Sequence, residues 1–166
     1  MRKLFILDFK NYANNLPEIR KISCRGIIVK DKKLLLVKTP YGEYKFPGGQ
    51  RNKFENDFDT LSREILNQTG FSIVSSSVRE FGEMEEKRKA LHENMIWHQI
   101  HRFYFCDINE IEGDDIVVGE KETTYYWVTL DDAILNNQKV QKREGLNVRN
   151  QLELMILNEL KKAKII

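Results

Sequence analysis

One stretch of the sequence, residues 46–71, combines a glycine turn with a short helix and constrains what the rest of the chain can form. After an extended segment it places two glycines behind Pro47, and glycine accepts positive φ or close backbone approach without penalty. Asn56 is a favourable helix N-cap with Asp59 as a capping-box partner, and Gly70 stands where a glycine ends a helix. The stretch therefore predicts a strand, a turn, a loop and a capped helix.

The predicted helix has two faces of different chemistry. Its apolar positions recur at helical spacing and comprise Phe58, Leu61 and Ile65. Glu64, Asn67 and Gln68 stand at i, i+3 and i+4, so their side chains share a second, polar face. A polar helix face beside a glycine turn is the place in this chain where we expect chemistry.

The same stretch resembles the Nudix box, the signature of hydrolases that cleave nucleoside diphosphates linked to another group. The family pattern is Gly, five residues, Glu, seven residues, then Arg-Glu-aliphatic-any-Glu-Glu-any-Gly-apolar. The residues that match it in register are Gly49, Glu55, Arg63, Glu64, Ile65, Gly70 and Phe71. The resemblance implies an α/β Nudix fold, a mixed β-sheet sandwiched between helices, as a single domain over residues 1–166 with residues 1–19 as an N-terminal extension.

The chain departs from the pattern at the paired glutamates, which are Asn67 and Gln68 here. In the family those glutamates hold divalent cations, and hard cations such as Mg²⁺ and Mn²⁺ prefer charged oxygen ligands. Asn67 and Gln68 keep an amide oxygen without the charge, so they are either weak ligands or ordinary polar residues near a helix end. The resemblance thus implies a metal site at Gly49, Glu64, Asn67 and Gln68 that binds Mg²⁺ or Mn²⁺ weakly or only with substrate.

The resemblance also implies catalytic and structural roles. Glu64 matches the position that binds metal or activates water, and Glu120 or Glu122 lies in the later loop from which a glutamate often completes the family's site. Arg63 and Glu55 match a salt-bridged pair that joins the loop to the helix. The residues with an expected structural role are Gly48, Glu55, Arg63 and Gly70.

Candidate substrate-binding residues surround the box and comprise Arg25, Tyr44, Lys45, Arg51 and Lys53. Arg25 fits a phosphate contact or a solvated charge on an edge strand. Tyr44 fits stacking on a base, although aromatic side chains at this density are more often packed in a core. Arg51 and Lys53 lie in the loop of the box and fit either a diphosphate contact or plain solvation.

Outside the box, hydrophobic patterns predict five further strands, over Ile22–Val29, Leu34–Val37, Ile73–Phe81, Trp97–Cys106 and Tyr125–Val128. They also predict a last amphipathic helix over Asn147–Lys164, with Ala163 facing inward. The charged segment Glu83–Lys89 fits a turn or a continuation of the preceding strand, and its mixed charges favour the solvated end of a hairpin. His98 and His101 are an odd distance apart on a predicted strand and would face opposite sides, which excludes a shared histidine site.

Composition limits which binding partners and which cellular compartment we expect for this protein. A net charge of +2 gives no strong field toward nucleic acid or an anionic membrane, and no apolar run is long enough to span one. Two cysteines make no disulfide framework, which suits a cytoplasmic protein. We expect a small-molecule nucleotide as ligand, and an edge strand or the N-terminal arm could form a homodimer.

Three functions remain open on the sequence. The first is a Nudix-type pyrophosphohydrolase with weakened metal binding, supported by the retained Glu64, Arg63 and Glu55. The second is a catalytically inactive module that binds a nucleotide as a sensor, supported by Asn67 and Gln68. The third is a protein-interaction scaffold that keeps only the fold.

Overall fold

The computed structural model describes residues 1–109, 124–144 and 148–166. The strands are β1 (Lys3–Asp8), β2 (Glu18–Ile27), β3 (Val29–Lys30), β4 (Lys33–Lys38), β5 (Tyr44–Lys45), β6 (Gly48–Gln50), β7 (Ser72–Ile73), β8 (Arg79–Lys89), β9 (Ile96–Phe105), β10 (Ile108–Asn109) and β11 (Tyr125–Thr129). The helices are α1 (Asp57–Thr69), α2 (Leu130–Glu144) and α3 (Val148–Lys162). The predicted helix start at Asn147 and the candidates Glu120 and Glu122 lie outside the described residues.

Five strands form one mixed sheet in the order β1-β8-β9-β2-β6. β1 runs parallel to β8 and β2 runs parallel to β9, whereas the pairs β8–β9 and β2–β6 are antiparallel. The strand of the glycine turn, β6, stands at the end of this order. A second, antiparallel sheet has the order β11-β4-β3, with β5 also paired to β4, and β7 pairs β10 separately.

The helices cover the sheets through two apolar clusters. The cluster beneath α1 comprises Cys24, Ile28, Leu35, Leu61, Ile65, Ile73, Tyr104 and Cys106. The larger cluster contains residues of α2 and α3, among them Ala133, Leu152, Ile156 and Leu160, against strand residues that include Ile27, Leu36 and Phe103. A mixed sheet between helices, predicted from the sequence, is therefore confirmed. In the described ranges no helix is long and apolar enough to cross a membrane.

The predicted caps of α1 are both present. Asp59 N donates to Asn56 Oδ1 at 2.9 Å and Asn56 N donates to Asp59 Oδ2 at 3.0 Å, which closes the capping box. Gly70 ends the helix at φ 76°, a left-handed conformation that favours glycine. Leu61 and Ile65 are fully buried, but Phe58 is 38% exposed, so the packed face of α1 is narrower than predicted.

The prediction of one strand over Ile73–Phe81 is wrong. Only the start of this range pairs as β7, and a 3₁₀ turn at Ser75–Ser77 separates it from β8. Ser77 Oγ donates to the carbonyl of Val74 at 2.6 Å and accepts from Asp107 N at 2.8 Å. Short hydroxyl side chains that bind nearby backbone groups compete with strand pairing, which explains the interruption.

Two further predictions from the sequence are wrong, one because of strand pairing between distant parts of the chain and one because α3 ends early. Glu83–Lys89 is not the solvated end of a hairpin, since it is paired inside β8 between β1 and β9, where Glu86 is only 6% exposed. Ala163 is exposed rather than inward-facing, because α3 ends at Lys162.

Substitution of the N-cap of α1 tests whether the capping hydrogen bond stabilises the fold. Asn56→Ala removes the acceptor for Asp59 N and should lower the free energy of unfolding by about 1 kcal/mol, or about 2–4 °C in the melting temperature. Thermal unfolding followed by circular dichroism measures this. Asn94→Ala, at an exposed position of the turn between β8 and β9, is the matched control and should leave the melting temperature unchanged. An equal effect of both changes would contradict the capping role.

Candidate active site

The glycine turn of the box lies so close to its neighbours that side chains cannot be accommodated there. Gly48 has φ +141°, and a Cβ at this position would stand 2.1 Å from the carbonyl oxygen of Cys24. A Cβ on Gly49 would stand 2.4 Å from Cδ of Glu64. Both glycines are therefore required, the first by conformation and close packing and the second because the Glu64 carboxyl group lies directly against the backbone of β6.

Arg63 joins the loop of the box to the helix, as the resemblance implied. Its Nε and Nη2 donate to the two carboxylate oxygens of Glu55 at 2.5 and 2.8 Å, and Nη2 also donates to the carbonyl of Gln50 at 3.1 Å. Nη1 donates to Glu64 Oε1. The hydrogen bonds from Arg63 hold the pKa of Glu55 well below its ordinary value, so Glu55 remains ionised and the clamp remains charged.

Gln68 connects Glu64 to the turn. Its Nε2 donates to the carbonyl of Gly48 at 3.0 Å and to Glu64 Oε2 at 3.0 Å, while its Oε1 accepts from Gly48 N at 3.1 Å. These three partners fix the orientation of the amide, because a carbonyl and a carboxylate need the NH₂ group and an N–H needs the oxygen. The NH₂ group thus lies between two oxygen acceptors, a position that a cation could otherwise occupy.

The described residues do not fit a resident Mg²⁺ or Mn²⁺ ion. The oxygen donors that converge here are one carboxylate, Glu64, and one carbonyl, Gly48, and the amide of Gln68 already occupies both. Asn67 is exposed on the helix surface. Within residues 1–109, 124–144 and 148–166, no group of three or more His, Cys, Asp or Glu side chains is arranged to hold a metal ion.

A cleft of about 550 Å³ opens on the side of the sheet opposite α1. Along β2, Cys24 lies in the cluster beneath α1, whereas its neighbours Ser23 and Arg25 line the cleft. Residues of α3, among them Arg149 and Glu153, form another wall. The residues around Glu64 and the cleft both border β6, because Gly49 contacts Glu64 and the next residue, Gln50, lines the cleft.

Arg25 and Lys45 are the two substrate-binding candidates that face the interior. Arg25 is not a solvated edge charge, because β2 is an inner strand and its guanidinium donates to the Phe46 carbonyl at 3.1 Å. Burial lowers the pKa of Lys45, and the nearby charge of Arg25 acts in the same direction. Both cations therefore stand near the turn, where a phosphate group could accept their hydrogen bonds.

The other three candidates have different surroundings. Arg51 Nη1 is 2.7 Å from Asp57 Oδ1, so this side chain braces the start of α1. Lys53 is exposed and stacks on the ring of Phe54 at 5.5 Å. Tyr44 packs edge-on against Tyr126 at 5.9 Å, which supports the packing alternative over base stacking. The structure therefore does not bring these three residues together with Arg25.

The sequence reading missed several buried charged groups. Glu153 of α3 is 3% exposed, and its Oε2 accepts from Phe46 N at 3.2 Å. Burial raises the pKa of Glu153, which Arg25, 3.9 Å away, partly offsets. The sequence signal that could have identified Glu153 is a charged residue inside the apolar repeat of the last helix.

Two further buried groups, His101 and Glu86, also line the cleft. His98 binds Glu18 and Glu85 on the other face of the sheet, as the odd spacing of the two histidines predicted.

Comparison with known proteins agrees with this geometry. The sequence model of the NUDIX domain matches residues 20–147, which is most of the chain. The chain therefore belongs to the Nudix family. A comparison with curated protein sequences gives no match.

Solved structures show the same fold at low sequence identity. A NUDIX hydrolase from Nitrosomonas europaea superposes with a TM-score of 0.56 at 18% identity, covering 72% of this chain and 79% of that one. A MutT NUDIX hydrolase from Burkholderia pseudomallei gives 0.52 at 23% identity, covering 68% and 85%. The E. coli ORF135 protein gives 0.52 at 18% identity, covering 91% and 96%. The protein thus has a Nudix hydrolase fold.

The clamp between Arg63 and Glu55 predicts a specific pH dependence. Because the folded-state pKa of Glu55 lies below its ordinary value of 4.5, its stabilising contribution is complete above that pH and is lost as the pH falls further. The difference in unfolding free energy between wild type and Glu55→Gln should therefore be constant near neutrality and shrink below about pH 4.5. Urea unfolding at several pH values measures this difference.

The background Arg63→Met is the control for that experiment. With the guanidinium absent, Glu55→Gln should have a smaller and less pH-dependent effect, since contacting residues give non-additive changes. The same pH dependence in both backgrounds would show that Arg63 does not set the ionisation of Glu55.

Proposed function

We propose that the protein is a Nudix-type hydrolase that slowly cleaves the pyrophosphate bond of a nucleoside diphosphate-linked compound. The observation that carries the proposal is the position of Glu64. Its carboxyl group lies against Gly49 of β6, the strand whose next residue, Gln50, lines the cleft, and Arg63 and Gln68 hold its two oxygens. A carboxylate fixed at the strand that borders the cleft, close enough to influence Lys45, suits the activation of water beside a bound diphosphate.

The chemistry assigned to these residues is limited to binding and proton transfer. Arg25 and Lys45 would bind the diphosphate, and Glu64 would accept a proton from the water that attacks one phosphorus. The P–O–P bond then breaks, so the products are a nucleoside phosphate and the phosphorylated remainder. Because Arg63 and Gln68 already donate to the two oxygens of Glu64, an attacking water must compete with these donors for the carboxylate, which is the physical reason to expect slow turnover.

Metal dependence belongs to the same proposal. Only one carboxylate of the helix face remains, so Mg²⁺ or Mn²⁺ would bind weakly, or together with the phosphate groups of the substrate. Glu120 and Glu122 stay candidates for additional ligands or for a base. Gly49 is a candidate only through its backbone, as a glycine has no side chain to offer.

A second function, binding of a nucleotide without turnover, is favoured by Gln68. The amide cross-links Glu64 to Gly48 through three hydrogen bonds, which gives the site a stable arrangement without any ion. A sensor module needs such a fixed, metal-free pocket, whereas a hydrolase of this family needs cations. Cytoplasmic location, the absence of nucleic-acid and membrane partners and the homodimer remain predictions.

Turnover of a substrate panel distinguishes the two functions. Formation of a nucleoside phosphate from nucleotide sugars, dinucleoside polyphosphates and nucleoside triphosphates should be detectable by chromatography with Mg²⁺ or Mn²⁺ and should be abolished by Glu64→Gln. Glu80→Gln, the same change at a side chain that is 60% exposed on β8, should leave the rate unchanged. If no compound is cleaved while nucleotide binding is intact, the result contradicts the hydrolase and favours the sensor.

Restoring a carboxylate at position 68 tests the role of the amide. Gln68→Glu removes two hydrogen bonds and adds a like charge four residues after Glu64, so without metal the free energy of unfolding should fall by about 1–3 kcal/mol. Mg²⁺ should recover much of this loss and raise the hydrolysis rate. Asn67→Glu adds the same charge at an exposed position with no contact to Gly48, and it should cost less than about 1 kcal/mol.

If Gln68→Glu melts at the same temperature with chelator and with Mg²⁺, and stays inactive, the amide is not the group that displaced the cation. The double variant with Asn67→Glu, which restores the full family pattern, then decides whether the loss of function extends beyond these two positions.

A further inference from the structure

The cleft has a polar floor inside an apolar frame. Alternate residues of β9 face the cleft, and with Glu86 of β8 they place Gln99 and His101 side by side. We call Glu86, Gln99 and His101 the polar floor. Trp97 and Phe103 flank the floor on the same strand face. None of these residues is part of the Nudix box.

The polar floor is buried but incompletely hydrogen-bonded. Glu86 and Gln99 are each 6% exposed. His101 Nδ1 contacts Ser23 Oγ at 2.9 Å, but the buried His101 Nε2 has no hydrogen-bond partner among the described residues and lies 3.8 Å from Glu86 Oε2. Gln99 Nε2 makes a long contact of 3.5 Å with the carbonyl of Ile100. Buried polar atoms are nearly always paired, so this combination indicates groups that await a ligand.

The floor offers both kinds of hydrogen-bonding group. Burial would raise the pKa of Glu86, but His101 and Arg88 outweigh it and the pKa lies below its ordinary value, so the carboxylate is an acceptor. Burial lowers the pKa of His101, which keeps the imidazole neutral. One N–H of the neutral ring and the NH₂ of Gln99 are donors. An anionic acceptor therefore stands beside neutral donors.

Trp97 supplies a flat wall beside the floor. The guanidinium of Arg88 lies 5.9 Å from the Trp97 ring and is itself held by Glu86 Oε1 at 2.6 Å. An indole fixed in this manner is a stacking surface for a planar heterocycle. Arg25 pairs in register with Phe103, six residues along β9 from Trp97, so the phosphate groups would lie toward that end of the strand.

We propose that the polar floor and Trp97 form a nucleobase subsite that selects guanine, an assignment that rests on the proposed binding of a nucleoside diphosphate compound in this cleft. The Watson–Crick edge of guanine presents two neighbouring N–H donors and one carbonyl acceptor. Two donors suit the Glu86 carboxylate, and the carbonyl suits the donors of Gln99 or His101. Adenine and cytosine place a ring-nitrogen lone pair beside their amino group, and uracil flanks its single N–H with two carbonyls, so each would set an acceptor against the carboxylate.

Binding of the four nucleoside monophosphates tests this assignment, because they contain no pyrophosphate bond to cleave. In titration calorimetry, GMP should bind at least about tenfold more tightly than AMP, CMP or UMP, as expected for a base read by paired hydrogen bonds. Glu86→Gln should reduce the GMP preference to about threefold or less. Trp97→Leu should weaken all four ligands alike. Glu80→Gln on the same strand should change nothing.

A second variant keeps the test decisive if Glu86→Gln fails to fold, which circular dichroism would reveal. Gln99→Met leaves the bond between Glu86 and Arg88 intact and should weaken GMP binding more than binding of the other three. Equal affinities for the four nucleotides, no binding of any, or a GMP preference that neither variant changes would overturn the guanine subsite. Hydrolysis that depends on Glu64 but not on the base would leave the proposed function standing while the subsite falls.

Discussion

The structure around the box depends on the amide of Gln68, which binds Glu64 and the backbone of Gly48 at once. Without a group that donates to both oxygens, a carboxylate and a carbonyl would face each other at short range, which is unfavourable away from water. A cation resolves this conflict through its charge, and an amide resolves it through two N–H donors without charge. The chain uses the amide, so the arrangement of box and turn persists without an ion.

The clamp of Arg63 acts on the same carboxylate from the other side. Arg63 binds Glu55, the Gln50 carbonyl and Glu64, and it thereby links the loop, β6 and α1. The two donors fix the position of Glu64. The helix face nevertheless carries less negative charge than the family pattern, since Asn67 and Gln68 are uncharged, and this is why fold and activity have to be tested separately.

The sequence predicted the parts of the site that local rules determine. The helix caps at Asn56 and Gly70 and the glycine turn follow from residues a few positions apart, whereas the clamp of Arg63 on Glu55 was implied by the family resemblance. The polar floor could not be predicted, because it requires β8 and β9 to pair and β2 to run parallel to β9, contacts between residues far apart in the chain. The same non-local pairing, together with that of β1, places Glu83–Lys89 inside a paired strand and buries Glu86 in the cleft, where a solvated hairpin end was expected.

Anomalous scattering from Mn²⁺-soaked crystals of the wild-type protein, without nucleotide, shows whether the Gln68 amide stands where a cation would bind. No manganese peak is expected between the Gly48 carbonyl and Glu64, and Gln68 should keep its three hydrogen bonds. A peak at that position, with the Gln68 side chain turned away, would disprove this role of the amide.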